Sequence, residues 1–228
     1  MSENNSENGK KSIVITGCTS GLGRSLFEKF SDAGWFVTGC GRRVHLLDSL
    51  RMGREADSNL VACDIRLENH VSALTGAVKL KPGYIDALIL SAGAIGQLPL
   101  PSFLKTNLME LRRLFETNVF ANFNIVEQLA PLIRPHGLIV HITSDASRTP
   151  YPGWAGYGAS KAAFNLAVDV LNAELNQSEL SAVNIDPGDM NTEMHRLAVP
   201  DADVTQLKRP ETAATEIYER ITELLAQK

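Results

Sequence analysis

The sequence predicts an α/β protein built on a doubly wound, all-parallel sheet with helices on both faces. Three observations lead to that expectation. Six short and nearly uninterrupted apolar runs alternate with segments of helical periodicity. Almost every glycine-rich or polar motif falls at the carboxyl end of one of those runs, where such sheets bind their ligands. The chain has 228 residues, 44% of them hydrophobic, which suits one domain with a sizeable core.

The elements follow in order. Residues 1–11 are polar and are expected to form a disordered tail, with a single domain over 12–228. The first strand is Ser12–Thr16, and a helix begins near Leu22 with Leu26, Phe27 and Phe30 on its core-facing stripe. Further strands are expected at Trp35–Thr38, Leu60–Cys63, Ala87–Leu90, Leu138–Ile142 and Ser181–Ile185. A helical stretch from Pro210 to Leu225 closes the chain.

Charge and composition exclude several classes. A net charge of −4 with scattered basic residues gives no electrostatic case for nucleic acid. No apolar run approaches a membrane span, and the N-terminus lacks the apolar centre of a secretion signal. The three cysteines, Cys18, Cys40 and Cys63, have no zinc-like pairing. No metal site is expected, and reduced thiols suit a cytoplasmic protein. All three fall near strand ends and are expected to gather at one half of the site, either as small buried hydrophobes or as thiols whose oxidation blocks it.

The first strand runs into Thr16-Gly17-Cys18-Thr19-Ser20-Gly21-Leu22-Gly23 and then a helix. Glycines here permit a tight turn and a close backbone approach, and the helix offers free N–H groups to a pyrophosphate. Gly17, Thr19, Ser20, Gly21, Leu22 and Gly23 are therefore candidate dinucleotide contacts, with hydroxyls from Thr19 and Ser20. NAD sites usually carry a carboxylate after the second strand. This chain instead has Gly39-Cys40-Gly41-Arg42-Arg43, whose guanidinium groups can neutralise a 2′-phosphate, so NADP(H) is preferred over NAD(H). Asp64 and Ile65 follow the third strand as candidate adenine contacts, or Asp64 caps a helix. Ser91, Ala92 and Gly93 follow the fourth with side chains small enough for close approach.

Tyr157 and Lys161 stand four apart, which on a helix places them on one face. An ammonium there can stabilise an ionised phenol and lower its pKa. With Thr143-Ser144 upstream, the motifs resemble the short-chain dehydrogenase/reductase family over nearly the whole chain. The matching segments are the Thr16–Gly23 loop, Asp64, Ala92-Gly93, Asn118, Ser144, Tyr157 with Lys161, and Pro187-Gly188-Asp189-Met190-Asn191-Thr192.

The resemblance implies a Rossmann-like, dinucleotide-binding oxidoreductase that interconverts a small-molecule carbonyl and an alcohol. It implies Tyr157 as general acid/base, Ser144 as a hydrogen-bond donor to the substrate, and Lys161 as the residue that binds the nicotinamide ribose. Asn118, on the helix after the fourth strand, would hold a water leading from Lys161 to solvent. Thr192 and the Met190 backbone would clamp the carboxamide, and Pro187-Gly188 would shape the turn beneath the ring. It also implies a homodimer through the helices carrying Asn118 and Tyr157. The chain departs from the family's Asn-Asn-Ala-Gly with Leu90-Ser91-Ala92-Gly93, and it ends in a helical stretch where many members add a strand, so the sheet is expected to lack a seventh strand.

Substrate walls are expected from Tyr151, Pro152 and Trp154 and from Met194, Leu197 and Val199. The stretch 193–209 reads as a mobile lid. An NAD(H)-dependent alcohol dehydrogenase and a non-catalytic dinucleotide sensor are the competing readings.

Overall fold

The computed structural model describes residues 9–175 and 180–227. Residues 1–8 of the expected tail lie outside the described residues. Among the described residues six parallel strands form one sheet in the order β3-β2-β1-β4-β5-β6. They are β1 (Ser12–Thr16), β2 (Phe36–Gly41), β3 (Ser58–Ala62), β4 (Ile85–Leu90), β5 (Ile133–Ile142) and β6 (Ser181–Ile185). After β1 the chain winds outward through α1 (Gly21–Asp32), α2 (Val44–Arg51) and α3 (Glu68–Leu80). It then crosses back past β1 to β4 and winds the other way through α4 (Leu108–Phe115), α5 (Ala121–Leu129) and α6 (Ala155–Leu175). Short α7 (Glu193–Ala198) and terminal α8 (Pro210–Ala226) complete it. The reversal between β1 and β4 opens a crevice at their carboxyl ends, which fixes where the site lies.

Apolar residues on both strand faces need cover on both sides of the sheet. On one side Leu26, Phe27 and Phe30 of α1 meet Ala213, Ile217 and Ile221 of α8 across the strands. Phe30 makes edge contacts with Trp35 and Tyr218, at centroid distances of 5.0 and 5.1 Å. Burying such a ring stabilises the fold by about 1.5–3 kcal/mol. On the other side Val71 and Leu74 of α3, Ile125 and Leu129 of α5, and Phe164 and Val168 of α6 pack together.

Several boundaries differ from expectation. Lys10 and Lys11, expected in the tail, are tied down. Lys10 pairs with Asp57 at 2.7 Å, Tyr84 donates to the Lys10 carbonyl, and the Phe36 N–H donates to that of Lys11. β2 runs three residues past Thr38 because its glycines serve close approach rather than a break. A Cβ at Gly39 would stand 2.7 Å from Cys18 Sγ, and one at Gly41 would stand 2.6 Å from Thr19 Cγ2. β5 begins five residues early, at Ile133, which pairs with Ile85 ahead of a register shift. α4 and α5 are joined by a π-turn over Glu116–Phe120, and Asn118 sits at its centre.

Candidate active site

The glycine loop is fixed from both sides. Gly17 has φ +73°, and a Cβ there would meet Ala92 Cα at 2.9 Å. Thr16, at the end of β1, accepts hydrogen bonds from the N–H groups of Ser91 and Ala92 at 3.1 and 3.0 Å. The ends of β1 and β4 are thereby locked together. At the start of α1 the Ser20 side chain caps nothing and the first turn has no acidic residue. Its N–H groups and positive dipole end face the crevice unneutralised, which fits a pyrophosphate.

Past the loop the crevice turns basic. Arg42 and Arg43 border it beside Thr19 and Ser20, and Arg43 donates to Thr19 Oγ1 at 3.3 Å. Asp64 is less free than its sequence position implies, because Arg66 takes both of its oxygens, at 2.9 and 2.5 Å. That ion pair holds the carboxyl down at about 2. Asp64 is not a helix cap either, since Leu67 occupies that position in α3. Ile65 borders the crevice beside it. Cys40 and Cys63 line this end and share a thiol hydrogen bond. Cys18 stays close to Cys40, whose carbonyl its N–H bonds, but it does not line the crevice: it turns into the core on the opposite face of the sheet, where burial pushes its thiol up to about 12.

The other end of the same crevice, about 720 Å³ in all, holds Ser144, Tyr157 and Lys161. Ser144 follows β5 and stands close enough to the Tyr157 phenol to act on its ionisation. It donates to Asp145 Oδ1 at 3.0 Å and accepts from the Ala146 N–H at 3.2 Å. Tyr157 and Lys161 share a face of α6, as the spacing predicts. Their coupling differs from expectation. Burial pushes the Tyr157 phenol up to about 12, the Ser144 hydroxyl acts against it, and Asp186 and Asp145 add to it. The Lys161 ammonium is turned toward β5. Nζ donates to the Ile142 carbonyl at 2.7 Å and lies 3.4 Å from His141 Nε2. Burial lowers Lys161 itself to about 8.

Asn118 does not border the crevice. Its carboxamide receives the Ala94 N–H at 2.8 Å and donates to the Ala94 carbonyl and Ser160 Oγ, each at 2.9 Å. Ser91, Ala92 and Gly93 do border it. Opposite them lie Pro187, Gly188, Met190 and Thr192. Thr192 caps α7 by accepting from the His195 N–H, and its methyl group sits 3.4 Å from where a Gly21 Cβ would be. The segment expected as a lid is anchored at its root, where Lys208 exchanges backbone hydrogen bonds with Asp189 and Asn191.

Of the expected substrate walls, Trp154, Met194 and Leu197 line the crevice with Ile95 and Leu114. Tyr151, Pro152 and Val199 do not. The Tyr151 hydroxyl instead donates to Asp145 Oδ2 at 2.5 Å on the exterior. The residues sequence reasoning missed are Thr16, Arg66, His141 and Asp145. A histidine inside the apolar run Leu138–Ile142 is the one visible signal among them.

The short chain dehydrogenase family model matches residues 11–203. Benzil reductase ((S)-benzoin forming) IRC24 from Saccharomyces cerevisiae is 31% identical over 225 residues, covering 94% of this chain and 82% of that protein. Among solved structures, the KRED1-Pglu enzyme superposes with a TM-score of 0.85 at 28% identity, covering 93% of this chain and 95% of that one. A variant of actinorhodin polyketide ketoreductase with NADPH gives a TM-score of 0.84 at 23% identity, over 95% and 92% of the two chains.

Proposed function

The chain belongs to the short-chain dehydrogenase family, and on that premise we propose that it is an NADP(H)-dependent oxidoreductase that interconverts an apolar small-molecule carbonyl and its alcohol. One observation carries the reading: a single crevice joins a basic, glycine-walled end to an end holding Ser144, Tyr157 and Lys161. When bound, the nicotinamide supplies or accepts the hydride.

The chain's own residues do the rest. Gly17, Gly21 and Gly23 would let the backbone reach the pyrophosphate, Arg42 and Arg43 would meet the 2′-phosphate, and Thr192 with Met190 would hold the nicotinamide. A phenol raised to about 12 is protonated throughout the neutral range. Tyr157 is therefore ready to give its proton to the developing alkoxide in reduction. Ser144 adds a second donor to that oxygen as negative charge grows there. Lys161 would hold the ribose hydroxyls, and its positive charge would favour the tyrosinate left after transfer. Asn118 is a positioning residue that pins Ala94 against Ser160.

Trp154, Leu114, Met194 and Leu197 favour an apolar substrate, in keeping with the aromatic diketone in the name of the yeast relative. Asp145, Asp186, Asp189 and Glu193 border the same end and oppose an anionic one. Phe120, Phe123, Leu166 and Val170 are exposed near the two helices. They support a homodimer there, and three free thiols suit the cytoplasm.

The test is reduction of a panel of aryl ketones, diketones and carboxylated ketones with NADPH and NADH side by side. Faster turnover of neutral aryl substrates with NADPH is expected. Equal rates with NADH would refute the cofactor assignment, and binding without turnover of any carbonyl would favour a sensor.

A further inference from the structure

His141 interrupts the apolar run of β5, is fully buried, and stands in register with Leu90 on one side and Asn184 on the other. We propose that His141 is a positioning residue: it presents an unprotonated ring nitrogen to Lys161, aims that side chain and keeps it charged. The proposal rests on the reading that Lys161 serves the proposed reaction.

The proton positions follow from the partners. The Asn184 amide nitrogen donates to the Asn165 carbonyl at 3.0 Å and to Asp169 Oδ1 at 2.9 Å. Both partners are acceptors, so the orientation of the Asn184 carboxamide is fixed. Its carbonyl oxygen therefore faces His141 Nδ1 at 2.9 Å and can only accept. Nδ1 must carry the proton, which leaves the lone pair of Nε2 directed at Lys161 Nζ, 3.4 Å away. The Ile142 carbonyl takes a second ammonium hydrogen at 2.7 Å. With two of its three hydrogens so directed, the ammonium has one left for the crevice it borders. Phe164 packs edge-on against the imidazole, with centroids 4.9 Å apart, and holds the ring in that plane.

The arrangement keeps its polarity across the neutral range. Burial first, and then the Lys161 charge, hold the imidazole down at about 3, so it remains an acceptor. The other titratable groups nearby are Tyr157 and Asp169 on the same helix, Asp145 after β5 and Asp186 after β6. Asp145 and Asp186 act on Tyr157, whereas burial is what lowers Lys161. An acceptor beside the ammonium favours its charged form and opposes that burial.

The experiment follows the Lys161 Cε resonance through a pH titration of the full chain without cofactor, in wild type, His141→Leu and His141→Gln. We expect a wild-type midpoint of about 8, a midpoint lower by about one pH unit (ten-fold stronger acidity) in His141→Leu, and recovery in His141→Gln, whose carbonyl can accept. The alkaline limb of kcat/KM should move in step. Nitrogen-15 spectra of the wild type, which need no variant, should show a neutral His141 protonated on Nδ1. A His141→Leu midpoint equal to wild type, or a proton on Nε2, overturns the proposal. A wild type inactive on every carbonyl would sink the functional reading instead, and the Lys161 titration would still decide the role of His141.

Discussion

Gly23→Ala places the phosphate loop under a defined strain. A Cβ there would lie 2.3 Å from the Gly17 carbonyl oxygen and 2.9 Å from its carbon. Ordinary contact needs about 3.5 Å, so roughly 1 Å must be recovered by moving backbone. Gly17 cannot retreat, because its own Cβ direction is closed by Ala92 Cα at 2.9 Å and Cys18 N–H is bonded to the Cys40 carbonyl at 3.0 Å. The start of α1 must therefore lift away from β1. Overpacking of this kind costs about 1–3 kcal/mol of stability. Misplacing even one N–H aimed at a phosphate forfeits about 1.5–3 kcal/mol, or a roughly 10- to 100-fold weaker NADPH complex. Gly76→Ala is the matched control. Nothing lies within 4 Å of its Cβ position in α3, and it should gain about 0.5–1 kcal/mol with unchanged binding. Fluorescence titration with NADPH and urea unfolding measure both quantities. Binding by Gly23→Ala within two-fold of wild type would refute the reasoning.

Replacing Arg42 and Arg43 together by alanine should weaken NADPH by about 10- to 100-fold and leave NADH unchanged, since the lost contacts are to a charged group. Calorimetry showing equal losses for both cofactors would contradict this. His141 should make the fold acid-sensitive. Its folded pKa of about 3 lies below the ordinary 6.5, so between those values the unfolded chain binds the extra proton. Stability then falls as pH drops through that window, by up to about 1.4 kcal/mol per pH unit. Urea midpoints at several pH values should show a shallower slope in His141→Gln, and identical slopes would count against it. Phe30→Ala, which empties the contact between α1, Trp35 and Tyr218, should cost about 3–5 kcal/mol in the same unfolding assay. A loss under about 1 kcal/mol, the range of an ordinary surface change, would mean the core is not joined there.

What the sequence reveals, and what it hides, divides along local and long-range lines. The strands β1 and β4 are legible as apolar runs because nearly all of their residues are hidden on both faces. The glycine loop and the Tyr157–Lys161 pair are legible because their geometry is set within a few residues. β2 reads short because Gly39 and Gly41 look like breakers until Cys18 and Thr19 are seen filling the space above them. Helix spacing puts Lys161 beside Tyr157, yet says nothing of which strand faces them. Only the packing of α6 against β5 brings His141 and Ile142 to the ammonium. Asp64 suffers likewise, since its capture by Arg66 depends on how the turn after β3 folds back. Tyr151 reads as a pocket wall from its neighbours, but its hydroxyl is drawn outward to Asp145.

The proton donor is tested most directly by Tyr157→Phe. The change removes one hydroxyl whose protein neighbour, Ser144, keeps its bonds to Asp145 and Ala146, so folding and NADPH affinity should hold. Single-turnover reduction of an aryl ketone by the NADPH-loaded protein should slow by about 10²- to 10⁴-fold. A rate within a few-fold of wild type, at unchanged NADPH affinity, would show that the proton comes from elsewhere.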